Sequence, residues 1–583
     1  MSSWDHSVDL LVIGSGAGAM AAGIRGSDLG LDVLLVEKGA TYGGSSAMSG
    51  GVCWVGNNLH MSACGIPDSD EETLTYLKHI TEGEVPEELL INYRDTSKRM
   101  VEYFAEHTHL KFMPLEEYTD YYPEAPGGKP GGRSMEPIPF DGALLGDDFR
   151  LLHVPAQSAL IMGKMMITAK IAKTMIMLGF KSLLLMAWLF VKYGFRYSKR
   201  RKFGRDPYLT NGNALIGRLR MSLKDRRVPI WLDSPAVELI FENGRAVGAL
   251  IEKDGKTIRV QGKRGVLLAA GGFERNLEMR EKYGPKPASV EWTAGNEDNT
   301  GDAIQMGMQA GAGTALMGEA WWTPVTQYPG TTSGWVLVVE KSLPGGIFIN
   351  GAGERFTNES APYVDVVVEM YKDHQKTGNT VPGWMVFDAN YRHNYIAGPV
   401  GPGKALPDKT LPRKLRKEFL VKAATLEELA GKLGVDGSNL QRTITRFNEM
   451  AKTGKDLDFG RGESASDRYY GDARVTPNPC MAPILKAPFY AIPLFPGDLG
   501  TKGGLLTDAH GRVLKEDGSM IPGLYAAGNT SASVMGRTYP GAGGTIGPAL
   551  CYGFLAAENA ASTEVVAQVP NLEQFKLLWA DAT

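Results

Sequence analysis

The sequence predicts an α/β protein: a Rossmann-like nucleotide-binding domain split between the two ends of the chain, an α+β domain between them, and a helical insertion. Three Gly-rich strand ends carry this reading. Val8 to Ile13 is an apolar strand that runs into Gly14-Ser15-Gly16-Ala17-Gly18-Ala19, then an Ala-rich helix, then the strand Val33 to Val36 closed by Glu37. Ala269-Ala270-Gly271-Gly272-Phe273 ends a second strand, and Gly523-Leu524-Tyr525-Ala526-Ala527-Gly528-Asn529 ends a third, ahead of a helix expected from about Pro548. Together the first and last read as two halves of one flavin site.

Each element has a physical reason. Glycines at 14, 16 and 18, with Ser15 and Ala17 between, let backbone N–H groups approach a pyrophosphate at a helix N-terminus. Ala19 permits close helix–strand packing, and Glu37, followed by Lys38, is placed for ribose hydroxyls. Gly43-Gly44-Ser45-Ser46 reads as a second backbone nest for phosphate or flavin, continued by Ser49-Gly50-Gly51. From Ser234 to Val260 the pattern alternates around the turn Glu242-Asn243-Gly244-Arg245, a hairpin before the strand Gly265 to Ala270. Val237 in that hairpin, Ala270 and Gly271, Gly528 and Asn529, and Gly544 and Ile546 are further expected cofactor contacts. In Asn299-Thr300-Gly301-Asp302, Thr300 or Asp302 caps a helix, or Asp302 with Asn299 meets a ribityl chain.

Between about Gly313 and Ala487 the nucleotide-fold signals give way to mixed strands and helices. We therefore expect residues 1–312 and 488–583 to form the nucleotide-binding domain, with Phe489 to Leu494 as its return strand, and residues 313–487 to form a substrate-covering catalytic domain. Gly127 to Gly132 reads as a flexible lid or an ordinary loop.

The composition of the 583 residues is globular, and a net charge of −3 gives no indication of nucleic-acid binding. The average conceals an uneven distribution. From Phe149 to Arg205 there are twelve Lys and Arg and no Asp or Glu. Within residues 155–205 the longest uncharged run, Ser182 to Val191, falls short of the ~20 residues of a membrane span. Regularly spaced lysines, apolar clusters, Trp188 and the trailing Arg196, Lys199, Arg200, Arg201 and Lys202 describe helices lying on an anionic membrane surface through residues 155–202. The alternative is a helical hairpin packed against the protein or another subunit. Cys53, Cys64, Cys480 and Cys551 have neither disulfide nor metal-ligand spacing, so no metal is expected. With no leader ahead of the first strand, the expected location is the cytoplasm, peripherally on the inner face of the membrane. The oligomeric state is not legible.

The Gly-rich turns, Asn299 to Asp302, Gly353-Glu354-Arg355-Phe356 and Ala526 to Asn529 resemble the fumarate reductase and succinate dehydrogenase flavoprotein superfamily. Asp120-Tyr121-Tyr122-Pro123, Asn358-Glu359-Ser360-Ala361-Pro362-Tyr363 and Gly536-Arg537-Thr538-Tyr539-Pro540-Gly541-Ala542-Gly543 resemble the 3-ketosteroid Δ1-dehydrogenases within it. The likeness covers nearly the whole chain except the basic insertion. It implies a glutathione-reductase-type domain binding FAD, and 1,2-dehydrogenation of a 3-ketosteroid. It further implies Tyr363 as the base for the carbon-two proton, Tyr121 as its hydrogen-bonding partner, and Tyr539 with the Gly543 N–H as donors to the ketone. An unassisted tyrosine of pKa ~10 is ionised at roughly one part in a thousand at neutral pH, so Tyr363 requires help. Tyr118 and Tyr122 lie close enough in sequence to exchange roles with Tyr121, Tyr118 being a candidate for the substrate pocket.

Respiratory members of the superfamily attach flavin to a histidine after the second Gly-rich turn. Here that region reads Gly44-Ser45-Ser46-Ala47-Met48, so FAD is expected to be noncovalent. Arg537 is the sole cation of the C-terminal active-site segment, which suits an apolar ketone better than a dicarboxylate. With one dinucleotide fold apparent, the electron acceptor is expected to be a quinone or similar carrier rather than NAD(P)H. Competing readings are a 4-ene-forming ketosteroid dehydrogenase, a fumarate-reductase-like enzyme, and a noncatalytic flavin subunit of a membrane complex.

Overall fold

The computed structural model describes residues 4–176 and 180–562. The first strand, His6–Ile13, lies inside a sheet ordered Arg512–Leu514, Met520–Ala526, Lys256–Leu268, His6–Ile13, Val33–Val36, Ile230–Trp231. All neighbours are parallel except the edge strand Arg512–Leu514. Side chains of a strand alternate between faces, and here both faces are buried. Leu10 and Val12 enter one core, while Val8, Leu11 and Ile13 enter another. That explains the unbroken apolar run.

The two ends of the chain meet on one face of this sheet. Helix Ala17–Asp28 packs against helix Ile546–Ala561 through glycines: a Cβ on Gly553 would stand 2.1 Å from the Gly18 carbonyl oxygen, and one on Gly18 would stand 2.7 Å from that of Ala549. Pro548 falls in the first turn of the second helix, where its missing N–H removes no helical bond.

The hairpin forms as expected from Ala236–Glu242 and Arg245–Lys253, with Asn243 and Gly244 both at positive φ. Its next strand does not stop before Gly265. Lys256–Leu268 runs continuously from the hairpin into the parallel sheet, absorbing a register shift opposite Val8 and Leu10.

A second sheet of antiparallel strands is ordered Gly334–Val336, Ala320–Gln327, Phe489–Thr501, Gly383–Phe387, Gly346–Ile349, with Val421–Ala423 also paired to Phe489–Thr501. This corrects the assignment of Phe489 to Leu494 to the nucleotide-binding domain. The strand is 13 residues long; its first half pairs with Gly383–Phe387 and its second with Ala320–Gln327, so it is the spine of the second sheet. Pro493 and Pro496 break the apolar pattern in sequence without breaking the strand. The chain returns at Gly504–Leu505, paired with Thr314–Ala315.

The insertion forms helices Ala169–Ile176, Phe180–Phe195 and Tyr197–Phe203. Among the described residues no helix is long and apolar enough to cross a membrane. Several cations of the acid-free stretch are tied to acids outside it: Lys173 to Glu117, Lys199 to Asp141 and Arg196 to Asp206. Gly127 to Gly132 is a packed loop rather than a lid. A Cβ on Gly131 would stand 1.8 Å from the Glu116 carbonyl oxygen, and the Lys129 N–H donates to the buried Asp120 carboxylate at 3.0 Å.

Candidate active site

A single cavity of about 1440 Å³ begins at Gly14 and Glu37, passes Gly271, Asn299 and Gly528, and ends among Tyr118, Tyr121, Tyr363 and Tyr539. Single-ligand pockets are typically ~300–1,000 Å³, so this one has room for a dinucleotide and a second molecule together. Of the expected cofactor contacts it is lined by Gly14, Ser15, Gly16, Ala17, Gly18, Glu37, Lys38, Gly44, Ser45, Ser46, Ser49, Gly50, Gly51, Ala270, Gly271, Asn299, Asp302, Gly528, Asn529 and Ile546.

Four expected contacts are elsewhere. Val237 is 45% exposed, and its neighbours Pro235 and Ala236 line the cavity instead, because the alternating strand turns 237 to solvent. Ala19 is wholly buried in the helix. Gly43 acts indirectly: at φ 108 it precedes the short helix Gly44–Met48, and its N–H donates to Ser15 Oγ at 3.0 Å. Gly544 lies against Tyr539, where a Cβ would meet Pro540 at 2.7 Å and the tyrosine ring at 3.2 Å.

The donors and acceptors suit a dinucleotide. Gly14, at φ 111, has no room for a Cβ, which would stand 2.2 Å from the Ala269 carbonyl oxygen; the close approach of strand end to Gly-rich turn depends on it. Glu37 is held by Ser15 Oγ at 2.5 Å and the Gly39 N–H at 2.9 Å, and burial raises its pKa despite both bonds. Lys38 is paired with Asp302 at 2.7 Å and donates to Thr300 Oγ1 at 2.7 Å. Neither Thr300 nor Asp302 caps the following helix; that position is Gly301, in the left-handed region. The nest segment is a helical turn whose Ser45 Oγ accepts from the Asn296 N–H and from Asn299. Asn299 also donates to Glu274 at 2.6 Å; burial pushes this unforeseen carboxylate up to about 7. Among the described residues no cluster of His, Cys, Asp or Glu has the geometry to hold a metal.

At the far end three tyrosines face one another. The Tyr121 hydroxyl donates to that of Tyr363 at 2.5 Å, and the ring centroids are 5.2 Å apart for 121–363, 5.3 Å for 121–539 and 5.5 Å for 363–539. The Tyr539 hydroxyl bonds with Thr545 Oγ1 at 3.0 Å. Tyr118 accepts from Tyr470 at 3.1 Å and Tyr122 donates to Asp365 at 3.0 Å, so of the neighbouring three it is Tyr121 that donates to the Tyr363 hydroxyl. Tyr118 and Tyr470 still line the cavity.

Their supports come from distant parts of the chain. Tyr121 N–H donates to the Pro540 carbonyl at 3.1 Å, which also accepts from Tyr76 at 2.6 Å. The preceding Asp120 is fixed by Trp54 Nε1 and Arg133, each at 2.8 Å. Tyr363 opens helix Tyr363–Thr377 at the end where the helix dipole favours negative charge. Gly543, at φ 100, packs so closely on Trp54 that a Cβ would stand 2.5 Å from its backbone nitrogen.

Burial raises the pKa of Tyr363 well above 10; Tyr539 adds to the rise and the Tyr121 hydrogen bond opposes it. Burial likewise raises Tyr121 far above its ordinary value. Two lysines that the sequence reading did not single out are also enclosed here, and burial pushes Lys502 down to about 7 and Lys341 to about 8. Each is a lone cation in an apolar or Gly-rich segment, a signal that gives burial no direction without the fold. Arg537 is outside the cavity lining, near Glu84 and Glu319.

The family model described as an FAD binding domain matches residues 9–546. The 3-oxosteroid 1-dehydrogenase of Mycolicibacterium smegmatis is 41% identical, over 95% of this chain and 97% of its own length. That of Comamonas testosteroni is 37% identical, over 97% and 99%. A crystal structure of the 3-ketosteroid delta1-dehydrogenase from Sterolibacterium denitrificans, in complex with 1,4-androstadiene-3,17-dione, is 45% identical with a TM-score of 0.93, covering 96% of this chain and all of that one. FAD is thus the cofactor, and the chain belongs to the FAD-binding domain family, in its 3-oxosteroid 1-dehydrogenase branch.

Proposed function

We propose that the chain catalyses FAD-dependent 1,2-dehydrogenation of 3-ketosteroids, converting a 3-oxo-4-ene to a 3-oxo-1,4-diene. The observation that carries this reading is the Tyr121–Tyr363–Tyr539 group at the end of a cavity continuous with the FAD site. Tyr363 takes the proton from carbon two of the steroid, and Tyr121, donating to it, stabilises the phenolate that does so. Tyr539 and the Gly543 N–H hold the ketone oxygen and stabilise the enolate charge as it develops. FAD, bound noncovalently, supplies the two-electron acceptor for hydride from carbon one. Enclosure by aromatic and aliphatic side chains excludes water from these transfers.

The insertion serves the same reaction. Ala169, Ala172, Met175, Met186 and the half-exposed Phe190 line the cavity, whereas Leu184, Trp188, Val191 and Phe195 lie outside its lining and are exposed, by 56, 47, 56 and 85%. One side covers the steroid and the other faces outward with apolar and basic groups suited to an anionic membrane surface. We therefore place the enzyme peripherally on the membrane, with a quinone as the electron acceptor.

The test is anaerobic addition of 4-androstene-3,17-dione to the purified holoenzyme. The flavin absorbance bleaches in one turnover and the product is the 1,4-diene by mass and NMR. An unbleached flavin, or a product unsaturated elsewhere, overturns the reading.

A further inference from the structure

Two buried lysines touch the backbone just ahead of the two tyrosines assigned to the reaction. Lys502 is fully buried; its Nζ donates to the Thr538 carbonyl at 2.6 Å, the residue before Tyr539. The same ammonium stands 4.4 Å from the centroid of Trp321, whose ring meets Tyr539 edge-on at 4.7 Å and whose Nε1 is fixed to Asn529 at 3.0 Å. Lys341, 5% exposed, donates to the carbonyls of Ser360 and Ala361 at 2.8 and 2.5 Å, on the short approach to Tyr363.

A methylene chain ending in a methyl would fill either space at lower desolvation cost, since a buried cation is unfavourable unless its bonds compensate. The acidic groups that act on Lys502, namely Glu319, Asp365 and Glu84, do so at longer range, and among the described residues neither lysine forms an ion pair with a carboxylate. Backbone carbonyls are thus the acceptors that both lysines reach.

We propose that Lys502 and Lys341 are positioning residues: Lys502 fixes the loop at Thr538 and the Trp321 face that aim the Tyr539 hydroxyl, and Lys341 fixes the turn that starts the Tyr363 helix. This rests on the roles given to the two tyrosines above. Removing Lys502 loosens the ketone donor, whereas removing Lys341 loosens the base. The two losses have different signatures.

The experiment uses the full-length holoenzyme and its Lys502→Met and Lys341→Met variants, with flavin content and melting temperature as controls. The probes are 1,4-androstadiene-3,17-dione labelled with 13C at carbon three, for the bound carbonyl stretch by difference infrared, and 4-androstene-3,17-dione with or without deuterium at carbon two, for bleaching. Lys502→Met loses at least half of the bound carbonyl's shift and bleaches about 10- to 100-fold more slowly. Lys341→Met keeps the carbonyl shift, bleaches about 10-fold more slowly, and shows a larger deuterium effect because proton removal becomes more limiting. Flavin-replete variants with wild-type frequency, rate and isotope effect overturn the proposal. If a methionine variant does not retain flavin, the glutamine variant, whose amide falls short of the carbonyl, is measured with the same expectations in smaller degree; unchanged values overturn it equally. A wild-type enzyme that no 3-ketosteroid bleaches defeats the functional reading instead.

Discussion

The Tyr121 hydroxyl donates to the Tyr363 hydroxyl at 2.5 Å while the two rings stand edge to face, 75° apart. The direction of that bond matters. A donated hydrogen bond stabilises the phenolate of the acceptor, and Tyr121 is in turn held by its own backbone bond to Pro540, the residue after Tyr539. In the free protein burial outweighs this help, so Tyr363 is protonated at neutral pH.

A pH profile follows from that sign. Because the pKa of Tyr363 is raised, its ionised fraction increases tenfold per pH unit throughout the range below that pKa. Stopped-flow bleaching at saturating steroid is expected to accelerate from pH 6 to pH 9. Tyr121→Phe removes a hydrogen bond that lowers this pKa and displaces the rise to higher pH. A profile flat over that range contradicts Tyr363 as the base.

Substitution of the tyrosines is expected to separate chemistry from cofactor binding. General bases and oxyanion donors each commonly contribute 10²- to 10⁴-fold. Tyr363→Phe and Tyr539→Phe therefore slow bleaching by about 10²-fold or more, with flavin content unchanged, since neither hydroxyl belongs to the Gly-rich end of the cavity. Loss of flavin from either variant counts against the assignment.

The nucleotide half was legible because its chemistry is local. Gly14 to Ala19 and Glu37 announce themselves by their spacing from the short apolar runs they follow, and the glycines and length, not periodicity, mark those runs as strands. Tyr363 and Tyr539 were singled out through the family's segments, not through periodicity, and the fold brings their ring centroids to 5.5 Å. Val237 failed because one register step decides whether a strand residue faces cavity or solvent. The strand Phe489–Thr501 failed because all its partners lie far off in sequence, two of the three more than a hundred residues away, and no local pattern tells which sheet claims a strand. Lys341, Lys502, Glu274 and Tyr470 were missed for a related reason: a single polar residue gains meaning from the backbone it touches, and that contact is made only by the fold.

Gly14→Ala is expected to yield protein without flavin. The added Cβ would lie 2.2 Å from the Ala269 carbonyl oxygen at a φ of 111°, so the turn must move where N–H groups meet the pyrophosphate. Absorbance near 450 nm after purification reports the loss. A yellow Gly14→Ala protein would show that the turn tolerates displacement.

Glu340 offers a stability test away from the tyrosines. Its carboxyl is buried, accepts from the Gly398 N–H at 3.2 Å, and is pushed up by burial to about 7. The folded state therefore holds a proton that the unfolded state releases above its pKa of ~4.3, and stability contributed by that proton disappears as pH rises from about 4.5 to about 7. Glu340→Gln needs no proton. It should melt near the wild type at pH 5 and be more stable at pH 8, by on the order of 2 kcal/mol. Equal melting differences at both pH values contradict a protonated Glu340.

Membrane association is expected to depend on the outward side of helix Phe180–Phe195, not on the insertion as a block. Deleting residues 155–202 would also remove cavity wall, since Ala169, Ala172, Met175, Met186 and Phe190 line the site, so lost activity in a deletion says nothing about lipid. Trp188 and Phe195 are exposed, and Lys192 lies 3.7 Å from the Trp188 ring centroid, an amphipathic pairing suited to a headgroup layer. Trp188→Glu with Phe195→Glu should lower partition onto vesicles containing phosphatidylglycerol at least tenfold, since each change removes buried apolar area and adds a like charge to the anionic surface. Flavin content and bleaching by dissolved steroid should stay within about twofold, because neither residue lines the cavity. Unchanged sedimentation with vesicles would assign that exposed face to something other than lipid.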